Sequence, residues 1–169
     1  MVFKTSYDAQ TRSMTWAGCG IFGVLALQRL YTYSLSPRER TDVLAMALET
    51  FLFLTIPFVV YLFSPLGYSV RDGSLVIHRP LRPVVIPLEE IESVEILASD
   101  DITASYRVFG VGGLFGYYGL FFRNELGIIH FYLRNKENPI MIDTANHGRL
   151  LISPDSPGLL RALAVEEEA

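Results

Sequence analysis

The chain has one cysteine, Cys19, in 169 residues, and that scarcity removes two classes of protein at once. No disulfide can close within the chain, and no cysteine-rich metal site can form. Positive charge is also thin: fourteen Lys and Arg stand against eighteen Asp and Glu, for a formal net charge of −4. The deficit lies beyond position 64, where nine basic residues face fourteen acidic ones and leave that part at −5. A nucleic-acid groove or a polybasic lipid patch needs clustered cations to neutralise phosphates. Composition therefore argues against both partners.

A third scarcity is local. Residues 13–27 and residues 50–70 carry no charge at all, and the hydrophobic excess of a chain that is 50% apolar, with mean hydropathy +0.31, sits in residues 14–64. Residues 14–33 and 43–63 each match the roughly 20 residues needed to cross about 30 Å of hydrocarbon. In the first, Trp16 at one end and Tyr31 and Tyr33 at the other suit aromatic belts, while Arg29 can snorkel to an interface. In the second, Glu49 is the only charge and Pro57 is the expected kink. Residues 34–41, with Pro37, Arg38, Glu39 and Arg40, read as the connecting turn.

The expectation for residues 1–64 is thus a transmembrane helical hairpin, placing a multi-pass protein in the cell membrane. A cleaved signal peptide is the poorer reading, because Gln28-Arg29-Leu30-Tyr31 supplies no small-residue cleavage site. A soluble hairpin needs a polar face that residues 51–63 lack. Lys4, Arg12, Arg71, Arg79 and Arg82 on one side, against Arg29, Arg38 and Arg40 on the other, favour both termini and the C-terminal domain in the cytoplasm. Gly18, Gly20 and Gly23 offer small surfaces for helix packing.

From residue 65 to 169 the pattern changes to short alternating segments between turn residues. Asp72-Gly73 is a tight hairpin signal between residues 68–71 and 74–79. Residues 84–86 form another strand, and Leu88, Ile91 and Val94, then Ile96, read as one helical turn entering a strand. In residues 127–134, Ile129, Phe131 and Leu133 are expected to face inward and His130, Tyr132 and Arg134 outward. Residues 118–124, 139–143 and 149–153 supply further strands. Asp155 or Ser156 with Pro157 starts a closing helix whose Leu159, Leu160 and Leu163 form an apolar stripe, before an acidic tail of Glu166, Glu167 and Glu168.

Residues 68–164 resemble the bacterial pleckstrin-homology-like (PH) domains that stand behind one or two membrane helices. The resemblance rests on Tyr68, Val70, Asp72-Gly73, Leu75 and Ile77, on the segment from Ile86-Pro87-Leu88 through Ile91 to Val94, and on Ile152-Ser153-Pro154-Asp155 before a helix. It implies a mainly β, α+β architecture, with a partly open seven-stranded β-barrel capped by the C-terminal helix. It brings no catalytic residue set, and no counterpart of a basic phosphoinositide pocket is evident.

One segment stands out. Gly110, Gly112, Gly113, Leu114, Phe115, Tyr117 and Tyr118 belong to a run with five glycines in residues 110–119. A phosphate loop is excluded by the missing Lys-Ser/Thr and by the absence of a βαβ context. Two readings stay open: an inter-strand loop whose aromatics pack on the barrel edge, or an exposed apolar patch for a protein or the bilayer surface. His78, His130 and His147 have no metal-ligand spacing, Asp100 and Asp101 read as a solvated turn, and Ser99 and Ser105 lack a nucleophile-elbow context.

No catalytic, metal or cofactor residue is expected; a hidden barrel-mouth site would fall near His130, Asp143 and His147. The expected function is a membrane-anchored, non-enzymatic recognition or scaffolding module with a protein partner or a homo-oligomeric state. The alternative is an accessory subunit of a membrane transport or secretion complex.

Overall fold

Two helices run as an antiparallel pair between the first strand and the rest of the domain. In the computed structural model, which describes residues 2–35, 40–97, 102 and 105–167, a short strand β1 (Val2–Lys4) leads into α1 (Ala9–Leu35) and α2 (Arg40–Leu62). Asp8 caps α1, its Oδ1 accepting the Thr11 amide at 2.6 Å and so satisfying one of the orphan donors of the first turn. The expected turn at Ser36, Pro37, Arg38 and Glu39, the Ser99, Asp100 and Asp101 segment, and Glu168 lie outside the described residues.

The expected pair of spans is corrected to one. Val43–Leu62 alone, among the described residues, is long and apolar enough to cross a membrane, and no residue in its apolar window is buried inside the molecule. Residues 14–33 are helical throughout, as part of α1. Thr15, Gly18, Gly20, Gly23, Gln28, Arg29 and Thr32 dilute their apolar content below what a span of that length needs.

Among the described residues, ten strands form two sheets. The first is β1-β2-β3-β4, with β2 (Gly67–Arg71), β3 (Ser74–His78) and β4 (Val84–Pro87) antiparallel. A single 3-10 turn at Leu88–Glu90 then carries the chain into β5 (Ile91–Ile96) of the second sheet. That sheet has the order β5-β9-β10-β8-β7-β6, with β6 (Tyr106–Gly112), β7 (Tyr117–Arg123), β8 (Gly127–Leu133), β9 (Ile140–Thr144) and β10 (Gly148–Ile152). The helix α3 (Gly158–Glu167) closes the domain.

Among the described residues no closed barrel is seen: the expected seven-stranded, partly open barrel is instead two sheets, with β4 bonded to β3 and β5 to β9, so the 3-10 turn separates two edges instead of joining them. β1 and β6 had no counterpart among the expected strands. β1 pairs with β2, which puts residues ahead of the helices into the domain's own sheet.

Alternation explains the core. Tyr68, Val70, Leu75, Ile77 and Ile86 of the first sheet meet Ile140, Ile142, Leu150 and Ile152 of the second, with Leu159 and Leu163 of α3 over one end. On the opposite face of the second sheet, Ile129, Phe131 and Leu133 join Tyr117, Phe121, Met141 and Leu151 in another buried cluster, where the Phe121 and Phe131 rings stack at 4.0 Å. Ile129, Phe131 and Leu133 are thus buried as expected. Tyr132, expected outward, packs partly against the first core because both faces of the central strands are covered.

Tyr68 ties the layers together from a fully buried position. Its hydroxyl donates to the Tyr132 carbonyl at 2.6 Å and accepts the Ser153 amide at 3.0 Å. Burial pushes this phenol above its ordinary range. Tyr68→Phe leaves the Tyr132 carbonyl and the Ser153 amide short of a partner, and the expected loss is about 1–3 kcal/mol in chemical denaturation of the detergent-solubilised chain. The folded pKa is raised, so the Tyr68 contribution is complete below the unfolded value of about 10 and is lost as pH climbs above it. Alkaline titration of stability should accordingly fall less steeply in Tyr68→Phe than in the parent.

Candidate functional site

The glycine-aromatic run falls at the β6–β7 turn, and its position is set by short range chemistry. Residues 113–116 form the turn, closed by the Gly113 amide donating to the Gly116 carbonyl at 2.8 Å. Gly113 has φ +111, and the space a side chain would take there is filled by the Met14 sulfur of α1. In the ladder below, Gly110 lies opposite Gly119, so close that a Cβ on either would strike the facing backbone.

This turn docks into the base of the helical hairpin. The Thr15 hydroxyl of α1 accepts the Phe115 amide at 2.9 Å and reaches the Gly113 carbonyl at 3.5 Å. Leu114 lies over Gly18; a Cβ added at Gly18 would come within 2.8 Å of the Leu114 Cδ1. On the other helix, the Phe115 ring meets Tyr61 edge-on with centroids 5.3 Å apart. Tyr118 donates its hydroxyl to the Val60 carbonyl in the last turn of α2, which also accepts the Phe63 amide at 3.3 Å. Tyr118 is buried, which raises its hydroxyl well above the ordinary phenol range.

The two ends of the hairpin are anchored separately. Before α1, Thr5 donates to the Ser153 carbonyl at 2.6 Å, and the Ser6 amide and hydroxyl both donate to Asp155 at 2.8 and 2.6 Å. Arg134 stacks over Tyr7 at 4.2 Å and donates to its hydroxyl at 2.9 Å. After α2, the Leu81 amide donates to the Leu62 carbonyl at 3.0 Å. Asp155 is thus engaged with the N-terminal segment, and Ser156, whose hydroxyl accepts the Gly158 amide at 3.2 Å, attends the start of α3.

The structure brings Gly113, Leu114, Phe115 and Tyr118 together with Gly18. The apolar loop face that could have been an exposed patch is taken up by the chain's own helices. Tyr117 is buried beneath Lys136, whose ammonium sits 4.5 Å from the ring centroid. Gly110 belongs to the close β6–β7 approach, and Gly112 lies beside the Arg107 guanidinium. Gly20 and Gly23 are left apart, with nothing within 4 Å of a Cβ added to either.

Sequence reasoning passed over Met14, Thr15, Val60 and Tyr61, and it treated Arg29 and Glu49 separately. They form an interhelical bidentate pair, Nη2 to Oε1 at 2.8 Å and Nε to Oε2. A signal was present: each residue stands ten positions from Glu39, in the turn expected from the sequence, so an antiparallel hairpin would bring them level.

Several of the remaining titratable groups have local partners. His78 bonds the Ser69 hydroxyl at 2.8 Å, and His147 bonds Glu90 at 2.8 Å. Hydrogen bonds from Asn146 and then His147 hold the Glu90 carboxyl below its ordinary range. Asp143 takes Arg149 at 3.1 Å and Ser93 at 3.3 Å, while burial pushes the half-buried His130 down. Among the described residues, no three His, Cys, Asp or Glu side chains gather as a metal ion would need.

Two facing sheets, an exit turn at Leu88–Glu90 and a C-terminal helix over the core define a PH-like β-domain. The chain belongs to the bacterial PH domain family, whose sequence profile matches residues 66–166. No curated protein and no solved structure matches it. A PH-like domain suggests a binding or scaffolding module.

Gly18→Val tests the joint. The added methyls must displace Leu114, and the expected loss is about 1–3 kcal/mol of docking. In hydrogen exchange of the solubilised chain, the Phe115 amide should exchange faster while the amides of β8 and β10 keep their protection. Gly20→Val, facing open space, should leave both unchanged.

Proposed function

We propose that this protein is a membrane-anchored, non-enzymatic PH-like module that presents a recognition surface at a fixed orientation to the cytoplasmic face of the cell membrane. The observation that carries the reading is the union of a bare apolar helix with a docked domain. Val43–Leu62 has the length and composition of a span, and residues 113–118 fasten the β-domain to its exit turn through Tyr61 and Val60. A tether built this way restricts the domain to the surface and limits its tilt. Such restriction suits a scaffold that meets a protein partner or a second copy.

Both helices insert in this reading, although α1 alone is too polar. An unpaired Arg or Glu near a helix centre costs about 2.5–3.5 kcal/mol on insertion scales. Pairing Arg29 with Glu49 offsets much of that penalty, so α2 carries α1 with it. The basic residues flanking the helices support cytoplasmic termini.

A second reading, an accessory subunit of a transport or secretion assembly, is favoured by Gly20 and Gly23. Their open small-residue surface suits close approach of another membrane helix.

Charge removal distinguishes a buried hairpin from a wetted one. In a bilayer, Arg29→Gln strands Glu49 and should reduce the carbonate-resistant membrane fraction several-fold, while Arg29→Gln with Glu49→Gln should restore it. In water the same pair is worth about 0–1 kcal/mol, and neither change would shift the fraction. Replacing Gly20 and Gly23 with Ile should leave insertion intact; loss of a co-purifying membrane complex in that variant would favour the accessory-subunit reading.

A further inference from the structure

The last turn of α2 and the edge strand β6 enclose a groove of about 650 Å³. Val59 and Phe63 line it from the helix, Val108 and Phe109 from the strand, and Arg79 and Arg107 also line it. We infer that this groove binds one anionic membrane phospholipid, with the phosphate at Arg79 and Arg107 and acyl chain against the apolar wall. The inference rests on the membrane-anchored reading for the source of the lipid.

Charge complementarity selects the head. In a chain of net charge −4, two arginines here lack a carboxylate partner among the described residues. Arg79 is held in place, its Nε donating to the Arg82 carbonyl at 2.9 Å and its guanidinium 5.7 Å from the Tyr132 ring centroid. One guanidinium therefore arrives already oriented, and a phosphodiester is a fitting acceptor for planar donors. Two arginines on one head need no polybasic patch.

The apolar wall selects the tail. Phe109 is 75% exposed and Val108 61%, both on a sheet edge, and they continue the bare surface of α2 at Phe63. A free phosphate would leave that wall in water. An incoming protein strand is the other class of occupant, but the register of β6 slips between Arg107 and Phe109. Such a bulge interrupts the row of edge donors and acceptors that strand addition requires. The groove lies at the end of the apolar helix, where headgroups meet acyl chains.

The test uses the full chain in amphipol with dihexanoyl phosphatidylglycerol, dihexanoyl phosphatidylcholine and inorganic phosphate as separate titrants, read by native mass spectrometry and calorimetry. These short-chain probes dissolve, so the result does not depend on whether the helices insert. Phosphatidylglycerol should bind as a single adduct roughly ten-fold or more tighter than phosphatidylcholine. Arg79→Ala with Arg107→Ala should abolish the preference, and Phe109→Ser should weaken both lipids together. Equal binding of the two lipids, equal binding of inorganic phosphate, or an unchanged preference in the arginine variant would overturn the inference. A bound polypeptide displaced by neither lipid would overturn it as well. Failure of the anchoring reading would show separately, as loss of the carbonate-resistant fraction in the parent chain.

Discussion

The docking of the β6–β7 turn between the start of α1 and the end of α2 is the constraint on which the arrangement of the molecule depends. Two hydroxyls, two backbone groups and two aromatic rings make the joint: Thr15 with the Phe115 amide, Tyr118 with the Val60 carbonyl, and Phe115 against Tyr61. Each contact is modest by itself. Together they hold a loop whose glycines reach the positive φ values its course requires, and they offset the larger backbone freedom that glycine loses when it docks. The strand β1 and the Leu62–Leu81 hydrogen bond then fix the two ends of the hairpin to the same domain.

That constraint links the two halves of the chemistry. The PH-like sheet pair packs around its own core, from Tyr68 to Leu163. The helices need somewhere to put Arg29 and Glu49, and they solve it by facing each other. The joint couples these otherwise independent solutions and sets the groove between β6 and α2, which exists only because both walls are held. In the membrane-anchored reading, the same contacts turn a flexible tether into a fixed platform.

Much of the domain was legible in the sequence. Asp72-Gly73 placed the β2–β3 hairpin, the three-residue spacing of Leu88, Ile91 and Val94 marked the 3-10 turn into β5, and Leu159 and Leu163 cover the core as their spacing requires. The misses have physical causes. Alternation reports which side chains are buried but not whether the opposite face is covered too, so Tyr132 was assigned to solvent. β1 is three residues long and is stabilised by pairing with β2 rather than by its own pattern. Barrel closure depends on whether β4 and β5 bond across a turn, a long-range fact with no local signature. At the site, glycine content marked the loop, yet its receptor was invisible because Thr15 and Tyr61 lie 100 and 54 positions from Phe115.

The joint can be examined directly in cells. A benzophenone photo-crosslinking residue replacing Phe115, in the full chain expressed in cells, reports what touches that ring. The account predicts an intramolecular product that joins position 115 to the α2 peptide carrying Tyr61, with the protein unchanged in mass on denaturing gels. Efficient transfer to another protein or to lipid, with no intramolecular product, would contradict it.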